Sequence, residues 1–107
     1  MNYQEMTDFE INKAVADKLG YAGRTSRHPQ LEDVVLISSS HGGIIIDYCN
    51  SWADAGQIAH QYKINLYFSN NENMAEHRQT GKEIITCTDY NPCRAICIVF
   101  LMMKGGE

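Results

Sequence analysis

Apolar residues recur at helical spacing near the start of the chain. They are Ile11, Ala14, Val15 and Leu19. Thr7 and Glu10 precede them as the two ends of a capping box, in which each side chain bonds to the backbone amide of the other residue. Gly20 follows and supplies the left-handed residue that commonly ends a helix. The pattern predicts a first helix that begins after Thr7 and stops at Gly20.

Four further segments have the composition of strands. Residues 34–39 and 44–48 are rich in β-branched side chains and are joined around the turn residues 41–43, which include two glycines. This arrangement is typical of a hairpin. Residues 64–68 alternate between apolar and polar positions, as a half-buried strand does, and residues 83–88 form the last predicted strand.

A second helix is predicted after residue 51, capped by either Asn50 or Ser51. Its apolar face is formed by Trp52, Ala55, Ile58, Ala59 and Tyr62. Gly56 interrupts this helix at a cost of about 1 kcal/mol relative to Ala. We interpret it as a place where another backbone or a ligand comes close.

The last helix begins with Asn91 as its cap and Pro92 at its first position, and it continues to about Met103. It is apolar on nearly all sides. A helix without a polar face is either enclosed in a core or shared with a partner. We therefore expect self-association through this helix, and a homo-oligomer.

Residues 21–33 and 69–82 are polar and are predicted to be irregular connections. The remaining elements give one α+β domain over residues 1–107. In it a small mixed or antiparallel four-stranded sheet packs with three helices, in the order helix, hairpin, helix, two strands, helix.

Composition excludes several classes of function. The formal net charge is -4, which is against extended binding of nucleic acid. No signal peptide is indicated, and the longest apolar run is about half of a bilayer span, so the predicted location is the cytosol and no membrane contact is expected. In that compartment the four cysteines should be reduced thiols.

No metal, cofactor or catalytic residue is predicted. Cys87, Cys93 and Cys97 could ligate zinc with a histidine, but their spacing matches no usual finger and buried thiols often serve as small apolar side chains. The chain lacks the common catalytic motifs. Asp47 and Asp54 could act as general acid and base, although carboxylates at helix starts usually cap the helix or balance its dipole.

One junction occurs twice along the chain. An apolar strand runs through Asp47 and Tyr48 to Asn50 and a helix, and another runs through Asp89 and Tyr90 to Asn91 and a helix. Both places offer a capping side chain and helix N-terminal amides, which together can hold an anion. If the two helix starts converge, they form one composite pocket, and if they lie apart both are only well-capped helices.

Arg94 lies in the first turn of the last helix, where the helix dipole disfavours positive charge. It should therefore have an anion nearby. That anion is either a carboxylate of the chain, from Asp89, Asp47 or Asp54, or the phosphate or carboxylate of a ligand.

Two other features also allow two interpretations each. Trp52 is either a core anchor or a surface on which a nucleobase or a partner packs. Arg24 and Arg27 belong either to a solvated loop or to a flap that binds anions.

Three blocks of the chain resemble the NinX-like proteins of phages and prophages. They are residues 7–16, 49–56 and 91–103. The layout is more loosely similar to phage α-β-α sandwich domains. The resemblance implies an accessory phage gene product, and it brings no biochemical activity to carry over.

The predicted function is that of a non-enzymatic binder acting during phage infection or prophage carriage. Its target would be a small anionic, nucleotide-like ligand, such as a signal of host defence, which the protein sequesters. The predicted site consists of Arg94, Trp52, Asn50, Ser51, Asp54, Asn91, Arg24 and Arg27. The alternative is a protein–protein adaptor that docks on a host enzyme through the apolar last helix.

Overall fold

The computed structural model describes residues 3–39, 42–70, 72–79 and 81–104. These ranges contain three α-helices and six strands. The helices are α1 (Asp8–Ala16), α2 (Trp52–Tyr62) and α3 (Pro92–Met103). The strands are β1 (Thr25–Arg27), β2 (Val35–Ser39), β3 (Gly42–Ile46), β4 (Ile64–Tyr67), β5 (Asn73–His77) and β6 (Ile85–Asp89). Part of the predicted hairpin turn, residues 40 and 41, lies outside the described residues.

The strands form two antiparallel sheets of three, with the orders β1-β2-β3 and β4-β5-β6. The predicted α+β class and its three helices are confirmed, whereas the prediction of a single four-stranded sheet is wrong. The two additional strands, β1 and β5, lie in the segments predicted to be irregular. Their polar sequences carry no clear alternation, and backbone pairing with neighbouring strands supplies their order instead.

The core is centred on α3. This helix contacts α1 and α2 as well as all three strands of the second sheet. Its residues from Ala95 to Leu101 are all buried. The enclosure of α3 on several sides explains why its sequence has no polar face, and it does so within a single copy of the chain.

The predicted helix ends are observed. The Thr7 hydroxyl accepts from the Glu10 amide at 3.1 Å, and the Glu10 carboxylate accepts from the Thr7 amide at 2.8 Å. Gly20 adopts a φ of 107°, after the last turn of the helix widens over Asp17–Tyr21. Ser51, rather than Asn50, caps α2 through the Asp54 amide.

Candidate functional site

The two copies of the strand-to-helix junction meet in space. The side-chain amide of Asn91 donates to Oδ1 of Asn50 at 2.9 Å. The side-chain amide of Asn50 in turn donates to the Asp47 carboxylate at 3.1 Å and to Asp8 Oδ2 at 3.3 Å. Since Asn91 caps α3 and Asp8 is the first residue of α1, the starts of all three helices lie around one polar cluster.

Arg94 forms the other half of this cluster. Its guanidinium donates from Nη1 to Asp8 at 2.6 Å and from Nε to Asp89 at 3.2 Å. Nη2 lies near the backbone carbonyls of Tyr3, Gln4 and Met6, of which the Met6 oxygen is nearest at 2.6 Å. The ion pair with Asp89 was one of the two interpretations of this residue, and it is confirmed.

The anion at the helix starts is therefore supplied by the chain itself. Asp8 and Asp89 pair with Arg94, Asp47 accepts from Asn50, and the side chain of Arg94 is only 11 % exposed. A ligand would have to displace these carboxylates. The geometry gives Arg94, Asn50 and Asn91 a structural role, and their contact with a ligand stays a prediction.

Two members of the cluster, Asp8 and Asn12, were not predicted from the sequence. Asn12 is fully buried, donates to Asp47 Oδ1 at 2.9 Å and accepts from the Cys49 amide at 2.9 Å. One signal was present: Asn12 precedes Val15 and Ala16 by about one helical turn, so it lies on the apolar face. Asp8 gave no such signal, because its partner Arg94 is 86 residues away.

Arg24 and Arg27 lie on or beside β1. The Arg27 guanidinium stacks on the Phe9 ring at 4.0 Å from the centroid, and Arg24 donates to the Ser38 carbonyl at 3.1 Å. Both arginines are exposed, as a solvated segment requires, but residues 25–27 form a strand and are not irregular as predicted. Among the described contacts none joins either arginine to Arg94 or Trp52, and an anion-binding role for them stays a prediction.

Trp52 is not a core anchor. Its side chain is 53 % exposed, and its ring lies 6.4 Å from that of Phe68, which is 69 % exposed. Beside it an open groove of about 730 Å³ runs along α2 past Gly56, His60 and Lys63. We call this the α2 groove. A Cβ built on Gly56 would meet no other atom within 4 Å, so the glycine faces open space and no other backbone.

Ser51 and Asp54 both lie at the start of α2, with different roles. The Ser51 hydroxyl accepts from the Asp54 amide at 3.3 Å and so caps the helix. The side chain of Asp54 faces a separate cavity of about 400 Å³, which is also lined by Tyr21, Tyr48 and Tyr62. We call this cavity the tyrosine pocket.

The four cysteines are buried and free, which confirms their interpretation as core residues. Burial raises the pKa of Cys87 and Cys93, and the hydrogen bond with Cys49 together with burial raises the pKa of Cys97. These three therefore remain protonated thiols at neutral pH. Within the described ranges no group of three or more Cys, His, Asp or Glu side chains is placed to hold a metal ion.

Two surfaces, on α3 and on the edge strand β3, are relevant to the expected binding of a partner or of a second copy. The burial of α3 removes most of the apolar face that was expected to dock on a partner or a second copy, and Met102 is its largest exposed apolar side chain among the described residues. Ile44 and Ile45, on the edge strand β3, are about half exposed. None of the helices in the described ranges has the length and apolar character that crossing a bilayer requires.

Comparison with known proteins gave one family. The family described as Bacteriophage P22, NinX matches residues 2–104, which is nearly the whole chain. The searches of curated proteins and of solved structures found no match.

Proposed function

Because this chain belongs to the NinX family of bacteriophage P22, we propose that it is a phage accessory protein acting in the host cytosol as a non-enzymatic binder. Its ligand is a small anionic, nucleotide-like molecule, and sequestering that molecule counters a host defence signal. The observation that carries the proposal is the exposed Trp52 ring beside the α2 groove. In this proposal the binding surface is on α2 and does not include Arg94.

The chemistry of the α2 groove suits a ligand with a flat ring and a negative end. A nucleobase stacked on an exposed aromatic side chain contributes about 1–3 kcal/mol of binding free energy, and Trp52 presents such a face. Lys63 supplies positive charge in the groove, and His60 supplies a ring nitrogen for hydrogen bonding. The missing side chain of Gly56 leaves room for the ligand against the helix.

A second candidate function uses the same surface. Exposed tryptophan is the side chain most often found at the energetic centre of protein–protein interfaces, and Trp52 and Phe68 form a pair of that kind. The adaptor role would then involve these two aromatics and no longer the last helix. Self-association, also expected from the sequence, would need an exposed apolar surface such as β3.

The test is a titration with a nucleotide panel that includes mononucleotides, cyclic dinucleotides and dinucleotide cofactors. Trp52 is the only tryptophan of the chain, so its fluorescence reports directly on the α2 groove. We expect quenching on binding, with calorimetry giving the affinity. Trp52→Ala should weaken binding by about tenfold or more, equivalent to about 1.4 kcal/mol.

Gly56→Ala is the sharpest variant, because it separates binding from folding. The added methyl group raises helix stability by up to about 1 kcal/mol while occupying the α2 groove, so the protein should become more stable and bind less. Tyr90→Ala, which removes an exposed aromatic outside the groove, is the matched control and should leave affinity unchanged. If no nucleotide of the panel binds, and a host protein is retained in a pull-down by the parent protein but not by Trp52→Ala, the adaptor function replaces the nucleotide binder.

A further inference from the structure

The tyrosine pocket has no part in the function proposed above. It lies between the turn Asp17–Tyr21, the end of β3 and one side of α2, and its volume of about 400 Å³ is within the range of small-molecule sites. It adjoins the α2 groove through Gln57 and Gln61 but shares neither Trp52 nor Lys63 with it.

Two polar groups of this pocket have no hydrogen-bond partner among the described residues. Tyr48 is only 6 % exposed, yet its hydroxyl makes no hydrogen bond to any described residue. The Asp54 carboxylate likewise forms neither an ion pair nor a hydrogen bond within the described part of the chain. Among the described side chains the buried polar atom without a partner is Asp17 Oδ1. The Tyr48 hydroxyl and the Asp54 carboxylate are therefore open to the pocket, where water or a ligand can reach them.

The charge and the rings determine what such a ligand can be. Among the described residues lining the pocket, Asp54 is the charged one, so an anion is disfavoured there. Three tyrosine rings surround the same space, and aromatic faces attract cations. Two of these rings already attract cations of the chain: Lys104 lies 4.6 Å from the Tyr62 centroid and Arg24 lies 5.5 Å from that of Tyr21.

The pKa of Tyr48 also indicates that the pocket disfavours negative charge. Burial, together with the nearby Tyr21 and Asp54, raises its pKa to about 12. The phenol therefore remains neutral at physiological pH, and its hydroxyl can donate to or accept from a ligand. Negative charge in the pocket is unfavourable, and positive charge is favoured.

We propose that the tyrosine pocket binds a small organic cation, an amine or alkylammonium compound, whose charge lies at Asp54 and whose alkyl groups pack against the rings of Tyr21, Tyr48 and Tyr62. This site is independent of the α2 groove, and the protein would accept an anion and a cation at adjoining places along α2. The ligand is a free small molecule in this proposal, since the pocket is lined on several sides by the chain.

The test compares choline with its uncharged isostere 3,3-dimethyl-1-butanol by calorimetry and by the chemical shifts of the tyrosine rings, with tetramethylammonium and putrescine as further probes. We expect binding of the cations and at least about tenfold weaker binding of the isostere. Asp54→Asn should abolish this preference, because it removes the charge and keeps the shape. Tyr48→Phe, which removes only the hydroxyl, should alter affinity without unfolding the protein.

The matched control is Glu83→Gln, which removes an exposed carboxylate elsewhere, and it should leave the affinity for choline unchanged. Trp52→Ala should also leave it unchanged, so failure of the nucleotide proposal and failure of this one are distinguishable. Equal binding of choline and its isostere, unchanged affinity in Asp54→Asn, or silence with all three cations would overturn the proposal. Tight binding of a peptide bearing methylated lysine, with no binding of the free cations, would overturn it as well.

Discussion

The side chains of Asn50 and Asn91 are hydrogen-bonded to each other, with Nδ2 of Asn91 2.9 Å from Oδ1 of Asn50. The two residues occupy equivalent places in the repeated junction, and their contact joins the starts of α2 and α3. The repetition therefore has a structural consequence: each copy supplies one half of the same polar cluster. Because Asp8, Asp47 and Asp89 provide the negative charge of this cluster, the binding surface is expected elsewhere on α2.

This contact predicts energetic coupling between the two asparagines. Asn91→Ala should lose about 1 kcal/mol for the helix cap and a further amount for the contact with Asn50. Asn91→Ser keeps a capping oxygen and is expected to lose less. A double-mutant cycle of Asn50→Ala and Asn91→Ala, measured by urea unfolding, should give a coupling of about 0.5 kcal/mol or more. Additive effects would contradict the contact.

Arg94 should be important for stability even without any ligand. Arg94→Met removes the charged donor from two carboxylates and from the neighbouring carbonyls, and breaking such a largely buried pair costs about 3–5 kcal/mol. Arg94→Lys keeps the charge but not the forked geometry, so an intermediate loss is expected. Lys13→Met, which removes the exposed pair with Asp17, is the control and should change stability by less than about 0.5 kcal/mol. If Arg94→Met were as stable as the parent protein, the structural role of Arg94 would be contradicted, and Arg94 would again be a candidate for contact with a ligand.

Glu76 should make the protein sensitive to acid. This carboxylate is buried on the central strand β5 and accepts from the Arg78 guanidinium and the Tyr67 hydroxyl, both at 3.0 Å. The hydrogen bond from Arg78 holds the pKa of Glu76 below its usual value. Its contribution to stability is therefore complete above the unfolded-state pKa of about 4.3 and is lost as the pH falls through the lower folded-state pKa.

The measurement is the urea unfolding free energy of the parent and of Glu76→Gln as a function of pH. The parent should be the more stable protein at neutral pH, and the difference between the two should shrink as the pH falls below about 4. A difference independent of pH would show that the charge of Glu76 is not what stabilises the sheet.

Tyr48 should make the protein lose stability at alkaline pH. Its pKa of about 12, raised chiefly by burial, exceeds the usual value of about 10 for an unfolded chain. The stabilisation is complete below pH 10 and is lost as the pH rises towards 12. In a spectrophotometric titration Tyr48 should ionise late, as should Tyr67, whose pKa is raised by its hydrogen bond to Glu76. Tyr48→Phe should remove the step near pH 12 and flatten the alkaline loss of stability.

Self-association can be tested at β3, since α3 is enclosed. Ile44 and Ile45 are exposed on this edge strand, and an unpaired edge with apolar side chains can pair with a second copy. If the chain is a homo-oligomer, Ile45→Lys should convert it to a monomer in light scattering, while Ile84→Lys, at an exposed isoleucine outside the described strands, should not. A parent protein that is already monomeric would contradict the expected oligomer.

Local sequence patterns were sufficient to predict the helices of this protein and their ends. The caps at Thr7 and Asn91, the stop at Gly20 and the extent of α3 all depend on residues within about four positions of one another, so their pattern is visible in a single sequence. Ser51 was one of two capping candidates for the same reason. The family blocks were also visible, because they are stretches of contiguous residues.

The remaining features depend on how distant parts of the chain pack together. β1 and β5 are strands because other strands pair with them, and their polar sequences carry no period of their own. The pairing of Asp8 with Arg94 joins residues 86 positions apart. The exposure of Trp52 and the burial of Tyr48 depend on how helices and sheets pack, and no spacing along the chain encodes which face of a helix another element will cover. The candidate binding surfaces therefore follow from packing, whereas the helices that carry them follow from local sequence.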